Sequence, residues 1–111
     1  MNLSINRKEK SKSFIVELKG EVDLFTAPAF KEAVYEILDA GNNRIIIDLS
    51  GLEFMDSTGL GVLLGALRRL RTTGGSLALV CDRENIVKIF QLTGLDQVFT
   101  IYEKIEDCII E

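Results

Sequence analysis

The stretch RIIIDLSGLEFMDSTGLGVLL, residues 44–64, decides the architecture. It opens on an almost unbroken apolar run, Arg44 to Leu49, the pattern of a central strand covered on both faces. It closes on an amphipathic helix with a buried stripe of Leu60, Leu63, Leu64 and Leu67. Between them, Ser50 to Ser57 reads as a loop leaving the C-terminal end of the strand. Asp56 or Ser57 suits the helix N-cap, where a side-chain oxygen accepts from a free amide of the first turn. Arg68, Arg69 and Arg71 crowd the last turn and complement the helix dipole, and Gly74-Gly75 ends it.

Other units flank this one. Leu3 and Ile5, then Phe14, Val16 and Leu18, alternate with polar positions on either side of a polar turn, Lys8 to Lys12, so a hairpin opens the chain. Phe30, Ala33, Val34, Ile37 and Leu38 share one helical face, with Thr26 as cap, Pro28 in the first turn and Gly41 at the end. Ser76 to Cys81 is a second buried strand. Asp82 caps a third helix carrying Ile86, Ile89 and Phe90, which stops at Gly94. Val98 to Tyr102 is a last strand, and Ile105, Cys108 and Ile109 form a short closing helix.

This order predicts a single α/β domain over residues 1–111: a mostly parallel or mixed sheet of about five strands and about four helices, opened by an N-terminal hairpin. Strand order stays open. The loops Gly20 to Thr26, Ser50 to Ser57 and Cys81 to Asp82 leave parallel strands at one edge, where ligands bind in such sheets. Asp23, Asp56, Ser57 and Asp82 become candidate neighbours.

Composition narrows the chemistry. Of 111 residues, 47% are apolar and 27% charged, with a net charge of −4 and both signs interspersed. This leaves no electrostatic footprint for nucleic acid or an anionic membrane. No apolar run is long enough to span a bilayer, and MNLSINRKEK lacks the apolar core of a signal peptide, so a cytoplasmic location is expected. Cys81 and Cys108 then read as small buried apolar residues. Histidine is absent, which removes Ser-His-Asp and Cys-His arrangements and most zinc ligand sets.

Four roles compete for FMDSTGLG, residues 54–61. A nucleophilic serine lacks a base, and DSTGL is not the G-x-S-x-G elbow. A phosphate cradle fails on glycine spacing and has no Walker lysine. Gly61 and Gly65, four apart, read instead as a smooth strip where the helix packs closely on the sheet. The remaining roles, helix cap and acceptor of a phosphate, do not exclude each other. Free amides and the helix dipole favour an anion at this end by about 0.3–1 kcal/mol. Against that, Asp56 repels each unit of charge about 6 Å away by roughly 3 kcal/mol at an effective dielectric of about 20. The fold would tolerate the phosphate; a partner docked over Ser57 would tolerate it less. Phe25 is expected to pack as a hydrophobic staple, although an exposed Leu24-Phe25 pair would widen a docking surface. Phe54 and Met55 are expected to be buried.

Three segments, GEVDLFTAPAF (20–30), IIIDLSGLEFMDSTGLGVLL (45–64) and IFQLTGLDQVF (89–99), closely resemble the bacterial anti-sigma factor antagonists, stand-alone STAS domains, over nearly the whole chain. The resemblance implies that Ser57, directly after Asp56, is the phosphorylated serine and Thr58 only its neighbour. It implies a docking edge of Asp23, Thr26, Asp56, Ser57, Thr58, Gly59 and Leu60. The implied partners are an anti-sigma factor that is also a serine kinase, and a metal-dependent serine phosphatase that resets the switch. Unphosphorylated antagonist would bind the kinase and free a sigma factor. The chain itself would be no enzyme and need no cofactor or metal. The other role open to such a domain is scaffold or accessory subunit of a stress-signalling or lipid/anion transport complex.

Overall fold

A computed structural model describes residues 2–108. Among them run strands β1 (Leu3–Lys10) and β2 (Ser13–Val22), helix α1 (Ala27–Asp39), β3 (Arg44–Met55), α2 (Ser57–Thr72), β4 (Ser76–Val80), α3 (Glu84–Thr93) and β5 (Thr100–Tyr102). Two 3₁₀ turns, Leu95–Gln97 and Ile105–Asp107, complete them. The sheet order is β1-β2-β3-β4-β5, antiparallel for the first pair and parallel thereafter. Each strand lies beside the next in sequence, so crossovers of one hand, stepping in one direction, leave the helices on one face. There Phe30 of α1, Leu63 of α2 and Phe90 of α3 share a core with Val16, Ile47 and Leu79.

The central place of the Ile45–Ile47 run is as expected, but its cover is asymmetric. The face away from the helices holds a small cluster of Ile15, Ile46, Val80 and Cys108, flanked by Tyr102 and Ile105. The C-terminal segment covers it. Cys81 belongs to the helix-side core, so the two buried free cysteines lie on opposite faces of the sheet. Burial pushes both thiols above their ordinary pKa.

Several boundaries differ from the sequence reading. The hairpin turn is only Ser11-Lys12; both have positive φ, 51° and 67°, which suits strand twist, and Lys8 and Lys10 pair within β1. Asp82 does not cap α3, whose N-cap is Arg83 without a side-chain bond. The last strand is cut to Thr100–Tyr102, because Phe99 turns inward edge-on to Phe90 at 5.9 Å. The expected fourth helix is a single 3₁₀ turn at Ile105–Asp107, with Cys108 buried just beyond it; Ile109 lies outside the described residues.

The largest difference matters most for the site. Ser50 to Met55 is strand, not loop: β3 runs on beside β2 for its full length. Two register shifts each place an extra residue in β3, between Asp48 and Gly51 and between Leu52 and Phe54. Inward positions therefore step from 45, 47 and 49 to 52 and then 55. A bulge adds one residue and breaks the two-residue alternation. At the first, Gly51 is obligatory, since a Cβ would sit 2.6 Å from the Leu18 carbonyl oxygen.

Candidate functional site: the edge at Asp23 and Asp56

β2 and β3 end side by side. Val22 pairs with Met55, and the Asp56 amide donates to the Val22 carbonyl at 3.1 Å. The chain thus enters two turns at adjacent points, one beginning at Asp23 and the other at Asp56.

In the first turn, Asp23 Oδ1 accepts from the amides of Phe25 (2.9 Å) and Thr26 (3.0 Å). Thr26 returns the bond: its Oγ1 accepts from the Asp23 amide at 2.9 Å and donates to the Glu21 carbonyl at 2.8 Å. Thr26 stands at the N-cap of α1 but makes no side-chain cap bond, contrary to expectation, because its hydroxyl is held by the turn. Asp23 and Thr26 clasp the loop and force its two middle residues outward. Leu24 is 67% exposed and Phe25 76%, so Phe25 is no staple.

In the second turn, Asp56 is the N-cap of α2, in extended conformation. Its Oδ1 accepts from the Thr58 amide at 2.9 Å and also from the Thr58 hydroxyl. Ser57 is the first helical residue and is exposed, while Asp56 and Thr58 are half-buried. Among the described residues the Ser57 hydroxyl makes no hydrogen bond.

Gly59 and Leu60, expected on the docking edge, are buried. A Cβ on Gly59 would lie 2.7 Å from Met55 Cγ and 2.9 Å from Val22 Cγ1, so this glycine lets the helix start rest on the two strand ends. Close packing therefore falls to Gly59, not to the expected strip: Gly61 faces open space, and Gly65 meets the Tyr35 hydroxyl of α1. Met55 is buried as expected, but Phe54 is 47% exposed, because the second bulge turns Met55 inward in its place.

Asp82 does not join this edge. β4 leaves β3 at the pair Val80–Asp48, so Asp82 sits at the level of Ser50, while β3 continues to Met55. The start of α3 instead props the projecting end: Arg83 Nε donates to the Ser50 carbonyl at 2.7 Å and Asn85 Nδ2 to the Glu53 carbonyl at 3.2 Å.

The resulting edge carries the unbonded Ser57 hydroxyl, the acids Glu21, Asp23, Glu53 and Asp56, and the exposed apolar residues Leu24, Phe25 and Phe54. No Lys or Arg occurs in residues 20–30 or 50–67. Among the described residues, no three His, Cys, Asp or Glu side chains converge as a metal site, and no helix is long and apolar enough to cross a membrane. Chemically, the edge offers an accessible hydroxyl with no histidine in the sequence to activate it, set in a surface that is acidic and partly apolar. Phe54 was missed because the sequence from Ser50 reads as loop; alternation continued from Ile45 points Phe54 outward, and the two bulges, which cancel in phase, keep it there.

The STAS domain family model matches residues 4–108. The chain is 33% identical over 106 residues to the anti-sigma-B factor antagonist of Bacillus subtilis, covering 96% of each. It is 39% identical over 104 residues to that of Listeria monocytogenes, covering 91% of this chain and 90% of the other. The crystal structure of an anti-sigma factor antagonist from Mycobacterium paratuberculosis superimposes with a TM-score of 0.89 at 28% identity, over 96% of this chain and 90% of that one. With the family match spanning nearly all of its described residues, the chain belongs to the STAS domain family.

Proposed function

We propose that this STAS domain is an anti-sigma factor antagonist: unphosphorylated, it binds an anti-sigma factor serine kinase and releases the sigma factor, and phosphorylation of Ser57 switches that binding off. One observation carries the reading: among the described residues the Ser57 hydroxyl is exposed and unbonded at the start of α2, between segments 20–30 and 50–67 that contain no Lys or Arg. Relatives of matching length that bear the name anti-sigma-B factor antagonist support it. Phosphate adds about −1.5 to −2 charges. With no Lys or Arg in the two segments that form the turns, that charge acts chiefly on the partner. A loss of only about 1.4 kcal/mol at the interface is already tenfold in affinity.

In this reading Asp23, Thr26, Asp56, Ser57 and Thr58 contribute to the docking edge, joined by Leu24, Phe25 and Phe54. Gly59 and Leu60 serve from beneath by fixing the helix. A metal-dependent serine phosphatase restores the unphosphorylated form, the chain catalyses nothing itself, and the exchange takes place in the cytoplasm.

The test mixes the protein with its kinase and ATP and maps the phosphate by mass spectrometry. Phosphate is expected on Ser57 and absent from Ser57→Ala; a phosphate that persists in that variant overturns the assignment. Ser57→Asp is expected to weaken kinase binding at least tenfold by calorimetry, and an unchanged affinity counts against the switch.

A further inference from the structure

We propose that Thr58 is a positioning residue for phosphoryl transfer to Ser57, acting through the Asp56 carboxylate. This rests on Ser57 being the acceptor, as proposed above. Two hydroxyls stand side by side in Asp56-Ser57-Thr58, in different states. Thr58 is half-buried and commits both of its donors, amide (2.9 Å) and hydroxyl, to one oxygen, Asp56 Oδ1. Ser57 is exposed and commits none. The same arrangement therefore makes Ser57, not Thr58, the group that can react.

In the transfer, Ser57 Oγ attacks the γ-phosphorus of a nucleoside triphosphate held by the kinase. The Oγ–P bond forms as the bond to the β,γ-bridging oxygen breaks. The nucleoside diphosphate leaves with the electron pair, and the serine proton passes to a base on the kinase. Asp56 can oppose this in two ways. Its carboxylate, one residue away, can take the Ser57 hydroxyl as a hydrogen-bond donor and fix it in an unreactive rotamer. Its charge also repels the phosphoryl group. Thr58 counters the first. Hydrogen bonds to a carboxylate are the strong kind, and two of them on Oδ1 turn that oxygen toward the first turn of α2. The Ser57 hydroxyl is left free to meet the kinase's base, and the orientation is set before reaction begins.

The experiment compares wild type, Thr58→Val and Thr58→Ser as substrates of the kinase with ATP, measuring kcat and KM and mapping the phosphate. Valine keeps the shape and the amide bond but removes the hydroxyl. Thr58→Val is expected to lower kcat at least fivefold, with any rise in KM smaller than the fall in kcat, and Thr58→Ser to restore kcat to within twofold of wild type. In an Asp56→Ala background, Thr58→Val should cause no further loss, since the group it acts through is gone. A kcat for Thr58→Val within twofold of wild type overturns the proposal, and so does a loss that serine fails to restore or that persists undiminished without Asp56. Should wild type itself accept no phosphate at Ser57, the acceptor reading falls and this one with it; should wild type be modified and Thr58→Val keep pace, only this one falls.

Discussion

Phe25→Ser tests whether the exposed apolar residues form the centre of the docking edge. A phenylalanine buries about 200 Å² when covered. At 76% exposure, about 150 Å² of it faces solvent in the free protein. Covering that area at about 25 cal/mol per Å² sets a ceiling of about 4 kcal/mol. Ordering the side chain and desolvating Asp23 and Glu21 nearby take back part of this, so about 2 kcal/mol is expected, or roughly 30-fold in Kd. The fold should not notice: an exposed substitution away from any special contact shifts stability by at most about 0.5 kcal/mol. The assay is calorimetric titration of the kinase with wild type and Phe25→Ser, alongside urea unfolding of each. Weakened binding at unchanged stability is expected. Binding within twofold of wild type would refute the placement of Phe25 in the interface. A drop in stability of 2 kcal/mol or so would show instead that Phe25 is packed.

Three further expectations concern the scaffold. Gly59→Ala should destabilise by about 1–3 kcal/mol, because its Cβ collides with Met55 and Val22, whereas Gly61→Ala, facing open space on the same helix, should be neutral or stabilise by up to about 1 kcal/mol; urea midpoints of the pair give the contrast. Glu17 is held below its ordinary pKa of 4.5, first by the hydrogen bond from Asn6 and then by Lys8. A depressed carboxylate stabilises the fold above its unfolded pKa and loses that contribution as pH falls through the folded one. Glu17→Gln should therefore lower the unfolding midpoint at pH 7, with the gap to wild type closing on acidification below 4.5; a gap independent of pH contradicts the linkage. Cys81 and Cys108, buried with raised pKa, should react with a thiol reagent at pH 8 far more slowly in native protein than in urea, and equal rates would show that neither is shielded.

The class of fold was legible because its signals are local. A continuous apolar strand, two stripes at helical spacing and the glycines that end helices each report what their own segment buries. Where the reading failed, the deciding partner was distant in sequence. Thr26 looked like a cap, but its hydroxyl is taken by Glu21 and by the Asp23 amide. Asp82 looked like a neighbour of Asp56, but β4 is too short to carry it that far.

The sequence by itself determined that Ser57 follows an acid at the start of a helix, with no histidine to make it a nucleophile. Only the tertiary structure decided that β3 runs on as strand to Met55, that Gly59 and Leu60 lie beneath the surface, and that Thr58 holds Asp56 while Ser57 stays free. The physical reason is the register between β2 and β3. The first bulge reverses the inward alternation and the second restores it, so the direction of each side chain between Ser50 and Met55 follows from pairing with another strand.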